Sequence, residues 1–339
     1  MTGRLASVDA FRGITVAAML LVNDPGDWGH VYGPLQHASW DGCTPTDLVF
    51  PFFLFIVGVS ITLAGVGSHG KVLVRALRMV ALGLALHALA HWILATPSFR
   101  PFGVLQRIGI CYAAAGLLAI DTKPRTQWIV IGALLLGFWA LMAWGGPLTK
   151  EGNLASRVDT ALLGRHAYEF DAATGRGHEP EGLLSTLPAI ATTLLGVRAG
   201  EWLRRDALRP LLWVGAIALG LGLAWSLVFP LNKNLWSSSY VLWTGGWAML
   251  ALAAFHETMD RRGWPAIGRR FGVNAIAIYA GAWLMECVMD AFGWKAAIYG
   301  AIARGLDPYA ASLAFAIAFV AVCYGVAFAL DRRRIHIRV

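Results

Sequence analysis

Ten apolar stretches, most of them close to twenty residues long, follow one another along this chain and are separated by short charged or Gly/Pro-rich segments. A membrane-spanning helix needs roughly 20 consecutive apolar residues. The composition agrees, because 57% of the residues are hydrophobic and 14% are charged, whereas soluble domains carry about 25% charged residues. So few charges cannot cover a water-facing surface. The sequence therefore excludes a soluble globular protein and predicts an all-α fold, a polytopic membrane helix bundle.

The predicted bundle is a single domain over residues 1–339 with about ten spans. We place the spans at residues 8–23, 47–66, 72–95, 104–120, 127–145, 184–203, 210–230, 237–256, 272–292 and 309–330. Residues 294–307 form a half-apolar connector that could be re-entrant or interfacial. The start of the chain shows no cleavable-signal pattern, so we expect the first apolar stretch to remain as a span. Three of the four cysteines fall within apolar stretches, which implies no disulfide framework.

The distribution of Lys and Arg predicts the orientation of the bundle, because cytoplasmic loops of membrane proteins are enriched in these residues. If both termini are cytoplasmic, 19 of the 28 Lys and Arg residues fall on the cytoplasmic side and 9 on the outer side. The same bias explains the net charge of +8, so we expect no nucleic-acid partner. Residues 24–46 and 146–183 then form the two long outer loops.

The first outer loop and the start of the second predicted span hold the best candidates for catalysis, namely His37 and the nearby carboxylates of Asp41 and Asp47. An imidazole beside carboxylates at a membrane–water boundary can act as a general base, because its pKa lies near working pH. From the residues alone, an interfacial anchor is the commoner role for a histidine at this position. Asp47 could also have a structural role in the first turn of the second predicted span, near the positive end of the helix dipole.

Other polar residues lie at the outer ends of the predicted spans. Arg107 follows Gln106 at the start of the fourth predicted span, where a charged side chain is costly and suggests a functional site, unless it snorkels to the interface. Residues 230–240 combine amide, ammonium, hydroxyl and aromatic groups, a mixture that suits a sugar or an aromatic belt. His87 and His91 share one helical face as zinc ligands can, but a third ligand is not evident, and we predict no metal site.

Arginine clusters on the predicted cytoplasmic face could hold the phosphates of a nucleotide-like cofactor. They include Arg75 before the third predicted span, and Arg269 and Arg270 before the ninth. The positive-inside bias explains the same charges equally simply. The sequence contains no glycine loop in the strand–loop–helix setting that a phosphate-binding motif needs.

A series of motifs, in order along the chain, carries a family resemblance. They are RLASVDAFRG at 4–13, VN at 22–23, HASWDG at 37–42, DLVFP at 47–51, LQRIG at 105–109, EPEGLLST at 179–186 and NKNLWS at 232–237. With these motifs the chain resembles the heparan-α-glucosaminide N-acetyltransferase family. Because the motifs extend over essentially the whole chain, the resemblance is more specific than any one of them.

The resemblance implies transmembrane acetylation, in which the acetyl group of cytoplasmic acetyl-CoA reaches the amino group of a glucosamine unit on the periplasmic side. The family's active histidine and its partner asparagine would be His37 and Asn23. His37 would act as the base or as a transient acetyl carrier. Asn23 would donate a hydrogen bond to the developing oxyanion. Asp47 or Asp41 would orient the imidazole, as in a catalytic triad.

With these two substrates in view, we choose candidate binding residues on each side of the membrane from their charge, their position and the motifs above. Those expected to bind the acceptor are Trp40, Gln106, Arg107, Glu181, Asn232, Lys233, Asn234 and Trp236. Those expected to bind coenzyme A are Arg12, Arg75, Arg269, Arg270 and Asn274. We expect a multi-pass protein of the bacterial inner membrane whose partners are the lipid bilayer, coenzyme A and an amino-sugar or glycan acceptor; a homodimer is also open.

Two other functions remain open, an amino-sugar or N-acetylglucosamine transporter and an O-acetyltransferase of a surface glycan. A transporter is expected to show internal repeats and polar residues at the membrane midplane on broken helices. In this sequence the polar residues cluster at the outer ends of the predicted spans. This placement favours an enzyme.

Overall fold

The computed structural model describes residues 5–65 and 67–337, and this part of the chain is predominantly α-helical. Its helices are α1 (Ala6–Asn23), α2 (Val49–Ala64), α3 (His69–Ile93), α4 (Val104–Asp121), α5 (Pro124–Trp144), α6 (Leu154–Leu163), α7 (Thr186–Arg204), α8 (Leu208–Ser226), α9 (Ser238–Phe255), α10 (Arg269–Val273), α11 (Ala275–Ala291), α12 (Trp294–Ile302) and α13 (Pro308–Arg332). One hairpin, β1 (Glu169–Asp171) with β2 (Arg176–His178), lies between α6 and α7. The predicted all-α fold class is confirmed.

Each of the ten predicted spans coincides with a helix, with boundaries that differ by a few residues. Val66, the predicted end of the second span, and Arg4, the start of the first motif, lie outside the described residues. Within the described chain, seven helices are long and apolar enough to cross a membrane, namely α1, α2 with its preceding turn, α3, α4, α5, α8 and α13. The bent pair α11 and α12 would make an eighth. The number ten therefore stays a prediction.

The two predicted spans that fall outside this set correspond to α7 and α9, which lie inside the bundle. Most residues of α7 are buried, including Thr192, Thr193 and Arg198. The Arg198 guanidinium donates to Gln127 Oε1 at 3.0 Å and to Glu201 Oε2 at 2.8 Å. Because neighbouring helices cover α7, its surface does not need the apolar composition of a lipid-facing helix.

Glycines allow the closest helix contacts at the centre of the bundle. Gly58 of α2 faces Thr193 of α7, and Gly196 of α7 faces the carbonyl of Phe55, so that a Cβ at either glycine would overlap backbone atoms. Small residues of this kind let helix backbones approach closely in membrane proteins. The contact fixes α2 against α7, and the loops at the outer ends of these two helices carry the candidate site.

The two predicted outer loops contact each other. Trp40 in the first loop donates its indole N–H to the carbonyl of Leu148 in the second at 2.8 Å, and its ring meets the ring of His178 edge-on. The second loop is ordered by α6 and by the hairpin of β1 and β2. Residues 24–46 and 146–183 therefore lie on one side of the bundle.

The half-apolar connector after α11 forms α12, which bends away from α11 by 85°. The chain turns at Gly293, which adopts a positive φ of 69° that glycine tolerates best. Lys295 at the start of α12 donates to Glu286 Oε1 of α11 at 2.8 Å. This pair holds the bend on the side of the first outer loop.

Candidate active site

A cavity of about 710 Å³, counting its open mouth, lies among α1, α2, α4 and α11. Its apolar wall is formed by Met19, Val22, Val49, Phe50, Phe53, Val104, Leu105, Ile108, Ile276 and Tyr279. Its polar lining comes from helix ends and loops and consists of Asn23, His37, Thr46, Glu181 and Lys233. The cavity therefore joins an apolar space between helices to a polar mouth that carries titratable groups.

His37 and Asp47 form a hydrogen-bonded pair at this cavity. The Nδ1 atom of His37 lies 2.7 Å from Asp47 Oδ1; the His37 side chain is 39% exposed and that of Asp47 is 1% exposed. Because a carboxylate can only accept a hydrogen bond, Nδ1 carries the proton in this contact, and in the neutral ring Nε2 then has the lone pair. The arrangement suits a general base whose imidazolium form a carboxylate stabilises.

Asp47 is held in place by the turn that opens α2. Residues Pro45–Leu48 form a 3₁₀ turn whose capping box joins Thr44 and Asp47. The second carboxylate oxygen, Oδ2, accepts from the backbone N–H groups of Ala38 at 3.0 Å and Thr44 at 2.9 Å. Asp47 therefore caps the helix start and contacts the imidazole at the same time. Its part in catalysis stays a prediction.

Lys233 completes the cluster around the imidazole. Its Nζ lies 3.0 Å from Nε2 and 3.1 Å from Nδ1 of His37. Burial lowers the pKa of Lys233, while the nearby carboxylates of Asp47 and Glu181 oppose that shift. An ammonium and a neutral amine are therefore closer in free energy here than in water.

The loop that carries Lys233 is tied to the first outer loop. Asn232 accepts the backbone N–H of Leu235 at 2.8 Å and donates from Nδ2 to Asp41 Oδ1 at 3.2 Å. Trp236 adopts a positive φ of 54°, which is uncommon for a residue with a side chain. Asp41 thus positions the lysine loop, and Asp47 is the carboxylate that contacts His37.

A cluster of half-buried Arg100 with buried Glu179 and Glu181 stands beside the cavity. The Arg100 guanidinium donates to both carboxylates, with Nε 3.0 Å from Glu179 Oε2. Burial raises the pKa of Glu181, but Arg100, Arg107 and Lys233 outweigh it and lower the pKa overall. Glu181 is therefore an ionised carboxylate at the cavity wall.

Sequence reasoning did not select Arg100 or Glu179 as site residues. Glu179 begins the motif that contains Glu181, and Arg100 was counted only as an outer-side charge. The one usable signal in the sequence is that Glu179 and Glu181 lie two residues apart, because two neighbouring carboxylates need a cation beside them when they are buried. Which residue supplies that cation depends on how α3 and α4 place residues 94–103 against the second outer loop.

Gln106, Arg107 and Trp236 have protein partners and do not line the cavity. Arg107 is fully buried, donates to Ser185 and the carbonyl of Gly182, and lies over the ring of Trp236. Trp236 donates to Thr192 Oγ1 at 3.0 Å. Gln106 donates to the carbonyl of Pro101 at 3.3 Å. These contacts fix α4, α7 and the lysine loop, and acceptor binding by the three residues stays a prediction.

Trp40, Asn232 and Asn234 also lie outside the cavity lining. Trp40 joins the two outer loops and Asn232 shapes the lysine loop, as described above. Asn234 is half-buried in the same loop. Of the eight residues predicted to bind the acceptor, Glu181 and Lys233 are the two that the structure brings to the cavity.

Four of the residues predicted to bind coenzyme A lie together near the start of α1 and the end of α13. Arg12 donates to Ser60 Oγ at 2.6 Å and to the carbonyl of Gly272 at 3.1 Å. Arg270 donates to the Tyr324 hydroxyl at 2.6 Å, Arg269 pairs with Asp331 at 3.5 Å, and Asn274 bonds the backbone of Ile335 and Ile337.

Arg75 stands apart from that group, on α3, with its guanidinium over the ring of Tyr112 at 5.1 Å. The predicted coenzyme A residues are therefore divided between two places at the bundle end opposite the outer loops. Their binding role stays a prediction.

The two histidines considered for zinc have other partners. His87 Nδ1 lies 2.7 Å from the carbonyl of Arg100, and His91 Nδ1 lies 2.9 Å from Thr96 Oγ1. Within residues 5–65 and 67–337, no group of three or more His, Cys, Asp or Glu side chains is arranged to hold a metal ion.

The fold and this site define a polytopic membrane protein with a histidine–carboxylate pair and a lysine at an interhelical cavity. Residues 4–220 match the model of the family described as heparan-alpha-glucosaminide N-acetyltransferase, catalytic. The match covers more than half of the chain, and the chain belongs to this family. The matched region includes Asn23, His37, Asp47 and Glu181.

Two curated relatives extend the similarity beyond residue 220. The human heparan-alpha-glucosaminide N-acetyltransferase is 29% identical over 366 residues, covering 86% of this chain and 54% of the relative. The mouse protein of the same name is 29% identical over 367 residues, covering 87% of this chain and 55% of the relative. The chain therefore spans about half the length of the curated relatives it matches.

Proposed function

We propose that the protein is a membrane-embedded acetyltransferase that moves the acetyl group of acetyl-CoA to the amino group of a glucosamine unit. The names of the family and of the two relatives support this activity. The single observation that carries it is the His37–Asp47 pair, which shares one cavity with Asn23, Glu181 and Lys233. Acetyl transfer to an amine needs this combination of a base, a carboxylate for a cationic substrate and hydrogen-bond donors.

The acceptor arrives as an ammonium ion and has to lose a proton before it can attack a thioester. Glu181, an ionised carboxylate at the cavity wall, attracts the ammonium. His37 Nε2 takes the proton, and Asp47 stabilises the resulting imidazolium through Nδ1. The neutral amine is then a nucleophile held next to its base.

The amine attacks the carbonyl carbon of the thioester, so that a C–N bond forms and the C–S bond breaks. Negative charge develops on the carbonyl oxygen, where Asn23 and Lys233 can donate hydrogen bonds. One such donor contributes about 3–4 kcal/mol in enzymes that use an oxyanion hole. The thiolate of coenzyme A leaves and takes up the proton held by His37. The acylated nitrogen then gives its second proton to the freed imidazole, which releases it to water, so that the products are a neutral amide, free coenzyme A and one proton.

His37 could also carry the acetyl group itself. The imidazole would then attack the thioester first, and the acceptor amine would attack the acetyl-imidazole. Both routes use the same residues and differ in whether an acetyl-enzyme forms before the acceptor binds. Rapid quenching of enzyme mixed with labelled acetyl-CoA alone distinguishes them, because only the second route labels His37.

The donor is proposed to come from the cytoplasm, with the acceptor on the periplasmic side of a bacterial inner membrane. The apolar cavity wall suits the uncharged pantetheine arm, whereas phosphates are costly to bury away from water. The arginines near the start of α1 and the end of α13 offer the phosphates a cationic surface at the opposite end.

The deciding experiment mixes the detergent-purified protein with acetyl-CoA and glucosamine and measures N-acetylglucosamine by mass spectrometry. His30→Ala is the control for His37→Ala, because His30 is 40% exposed and also pairs with an aspartate, Asp27, at 2.6 Å, yet lies outside the cavity lining. We expect His37→Ala to lose about 10²–10⁴-fold in turnover and His30→Ala to retain it.

Turnover that survives in folded His37→Ala protein contradicts the proposal. If mild base removes the acetyl group from the product, the acceptor is a hydroxyl rather than an amine, and the protein is an O-acetyltransferase. If the protein neither turns over nor binds acetyl-CoA but carries glucosamine into proteoliposomes, it is a transporter and not an enzyme.

A further inference from the structure

Lys233 presents to the cavity the same functional group that the proposed acceptor presents. Its Nζ is a primary amine 3.0 Å from Nε2 of His37, the nitrogen that is to accept a proton from the acceptor. Any acetyl thioester placed for attack by an amine activated by His37 is therefore also within reach of this lysine. Lys233 is thus placed as a competitor of the acceptor.

The other four lysines of the chain stand in different surroundings. Lys71, Lys123 and Lys150 lie at helix ends or in loops, and Lys150 forms a surface ion pair with Glu169. Lys295 is also buried, but its ammonium donates to Glu286 and it lies outside the cavity that His37 lines. Among the cavity-lining residues that the structure describes, Lys233 is the one with an amine.

The surroundings of Lys233 also favour reaction of its amine. Burial lowers its pKa, which raises the fraction of neutral, nucleophilic amine at a given pH. The groups that oppose this are the carboxylates of Asp47 and Glu181. An acceptor ammonium that pairs with Glu181 would also occupy the space in front of the lysine.

We propose that Lys233 is an internal acceptor, which the site acetylates when the acetyl donor is bound and the amino sugar is absent. The inference rests on the proposed acetyltransferase function. The neutral Nζ attacks the thioester carbonyl, a C–N bond forms, and the C–S bond breaks. Coenzyme A leaves as a thiolate, and His37 passes the proton from Nζ to the thiolate sulfur.

Acetylation of Lys233 inactivates the site. The product is an amide, which is far less reactive toward amines than a thioester or an acetyl-imidazole, so the acetyl group stays on the lysine. The modified side chain has no positive charge and no longer attracts the nearby carboxylates of Glu181 and Asp47. The enzyme therefore shuts down when donor is plentiful and acceptor is scarce.

The test incubates purified full-length protein with isotope-labelled acetyl-CoA, with and without glucosamine, and maps stable acetyl groups by peptide mass spectrometry. Hydroxylamine treatment before digestion removes any acetyl-imidazole. We expect label on Lys233, little on Lys150 and Lys295, and a lower yield on Lys233 when glucosamine is present. In the samples without glucosamine, turnover measured afterwards falls in proportion to the acetylated fraction.

Two variants sharpen the result. Lys233→Arg keeps a cation but removes the amine, so its peptide carries no stable label. His37→Ala labels Lys233 more slowly than wild type, because the proton acceptor is missing. Detergent-denatured protein serves as the control for acetylation that does not depend on the site.

Three outcomes overturn the inference. Glucosamine turnover with an unlabelled Lys233 rejects the internal acceptor and leaves the proposed function standing. Label spread equally over Lys150 and Lys233, or equal labelling of denatured protein, shows chemistry that does not depend on the cavity. Absence of both glucosamine turnover and Lys233 label rejects the inference together with the proposed function.

Discussion

Asp47 connects the start of a helix to the candidate base. One carboxylate oxygen contacts His37, and the other accepts the backbone N–H groups of Ala38 and Thr44. The buried carboxylate thereby fixes the loop that carries His37 and the tautomer of its ring at the same time. Its hydrogen bonds to the protein backbone make the position of the imidazole independent of the substrate.

Asp47→Asn is expected to lower turnover by about 10²–10⁴-fold, because an amide can hold the imidazole in the wrong tautomer and cannot stabilise its cation. Binding of acetyl-CoA should change little. Steady-state kinetics and donor binding measure the two effects. Asp27→Asn, which alters the exposed pair with His30, is the matched control. Equal turnover in the two variants would contradict a role for Asp47 in catalysis.

The residues of the site could be predicted from the sequence to different degrees. Motifs marked Asn23, His37, Asp47, Glu181 and Lys233, and the structure brings them to one cavity or into contact with it. The position of Arg107 could not be foreseen, because residues 104, 105 and 108 of α4 line the cavity while Arg107 faces Ser185 and Trp236. Which face of a nearly all-apolar helix points inward depends on its neighbours rather than on its own periodicity.

At the scale of elements, the contact of α2 with α7 determines how the site is assembled. The start of α2 carries Asp47, and the segment just before α7 carries Glu181. Gly58 and Gly196 let the two helix backbones meet with no side chain between them. A change in this spacing would move the candidate base, His37, relative to Glu181, the carboxylate proposed to attract the acceptor.

Gly196→Ala is expected to destabilise the protein by about 1–3 kcal/mol, because the added methyl overlaps the carbonyl of Phe55. Turnover should fall as well, since the segments that directly precede the displaced helices carry Asp47 and Glu181. Gly132→Ala on α5 is the control, because a Cβ there meets open space. Thermal unfolding in detergent and acetyl transfer are the two measurements. Equal melting temperatures for the two variants would contradict the proposed close contact.

The elements themselves were largely predictable, because an apolar run of about twenty residues has few structural alternatives. The exceptions have physical causes. Mean hydropathy alone does not identify α7 as a membrane span, because the helix carries the polar residues Thr192, Thr193 and Arg198. These side chains are buried against neighbouring helices. The hairpin of β1 and β2 lies in a polar loop where the sequence shows no strong alternation. Its strands are only three residues long.

At the scale of the whole molecule, contacts between distant loops show which helices run from one end of the bundle to the other. The loop before α4 bonds the loop before α7 through Arg100 and Glu179, and the loop before α9 contacts His37. At the opposite end, Asp206 after α7 bonds His256 and Arg261 after α9. These contacts require α7 and α9 to run from one end of the bundle to the other. Ten crossings need both helices to do so, and the number itself stays a prediction.

The same contacts place the start of α1 and the end of α13 at one end of the bundle. Asp260, after α9, accepts the backbone N–H groups of Ala6 and Ser7, and Asn274 bonds Ile335. Since Arg and Lys are more numerous at this end, we predict that it faces the cytoplasm. The cavity mouth with His37 then faces the periplasm.

This orientation can be measured with two engineered cysteines, Ala172→Cys in the hairpin turn and Arg205→Cys between α7 and α8, both at exposed positions. Spheroplasts are treated with a membrane-impermeant maleimide, before or after lysis. The parent protein is the background control and should react little: Cys111, Cys287 and Cys323 are buried, and burial raises the pKa of the Cys43 thiol to about 12. We expect Ala172→Cys to react in intact spheroplasts and Arg205→Cys only after lysis. The reverse pattern would place His37 on the cytoplasmic side, where soluble amino sugars and acetyl-CoA would meet without any transfer across the membrane.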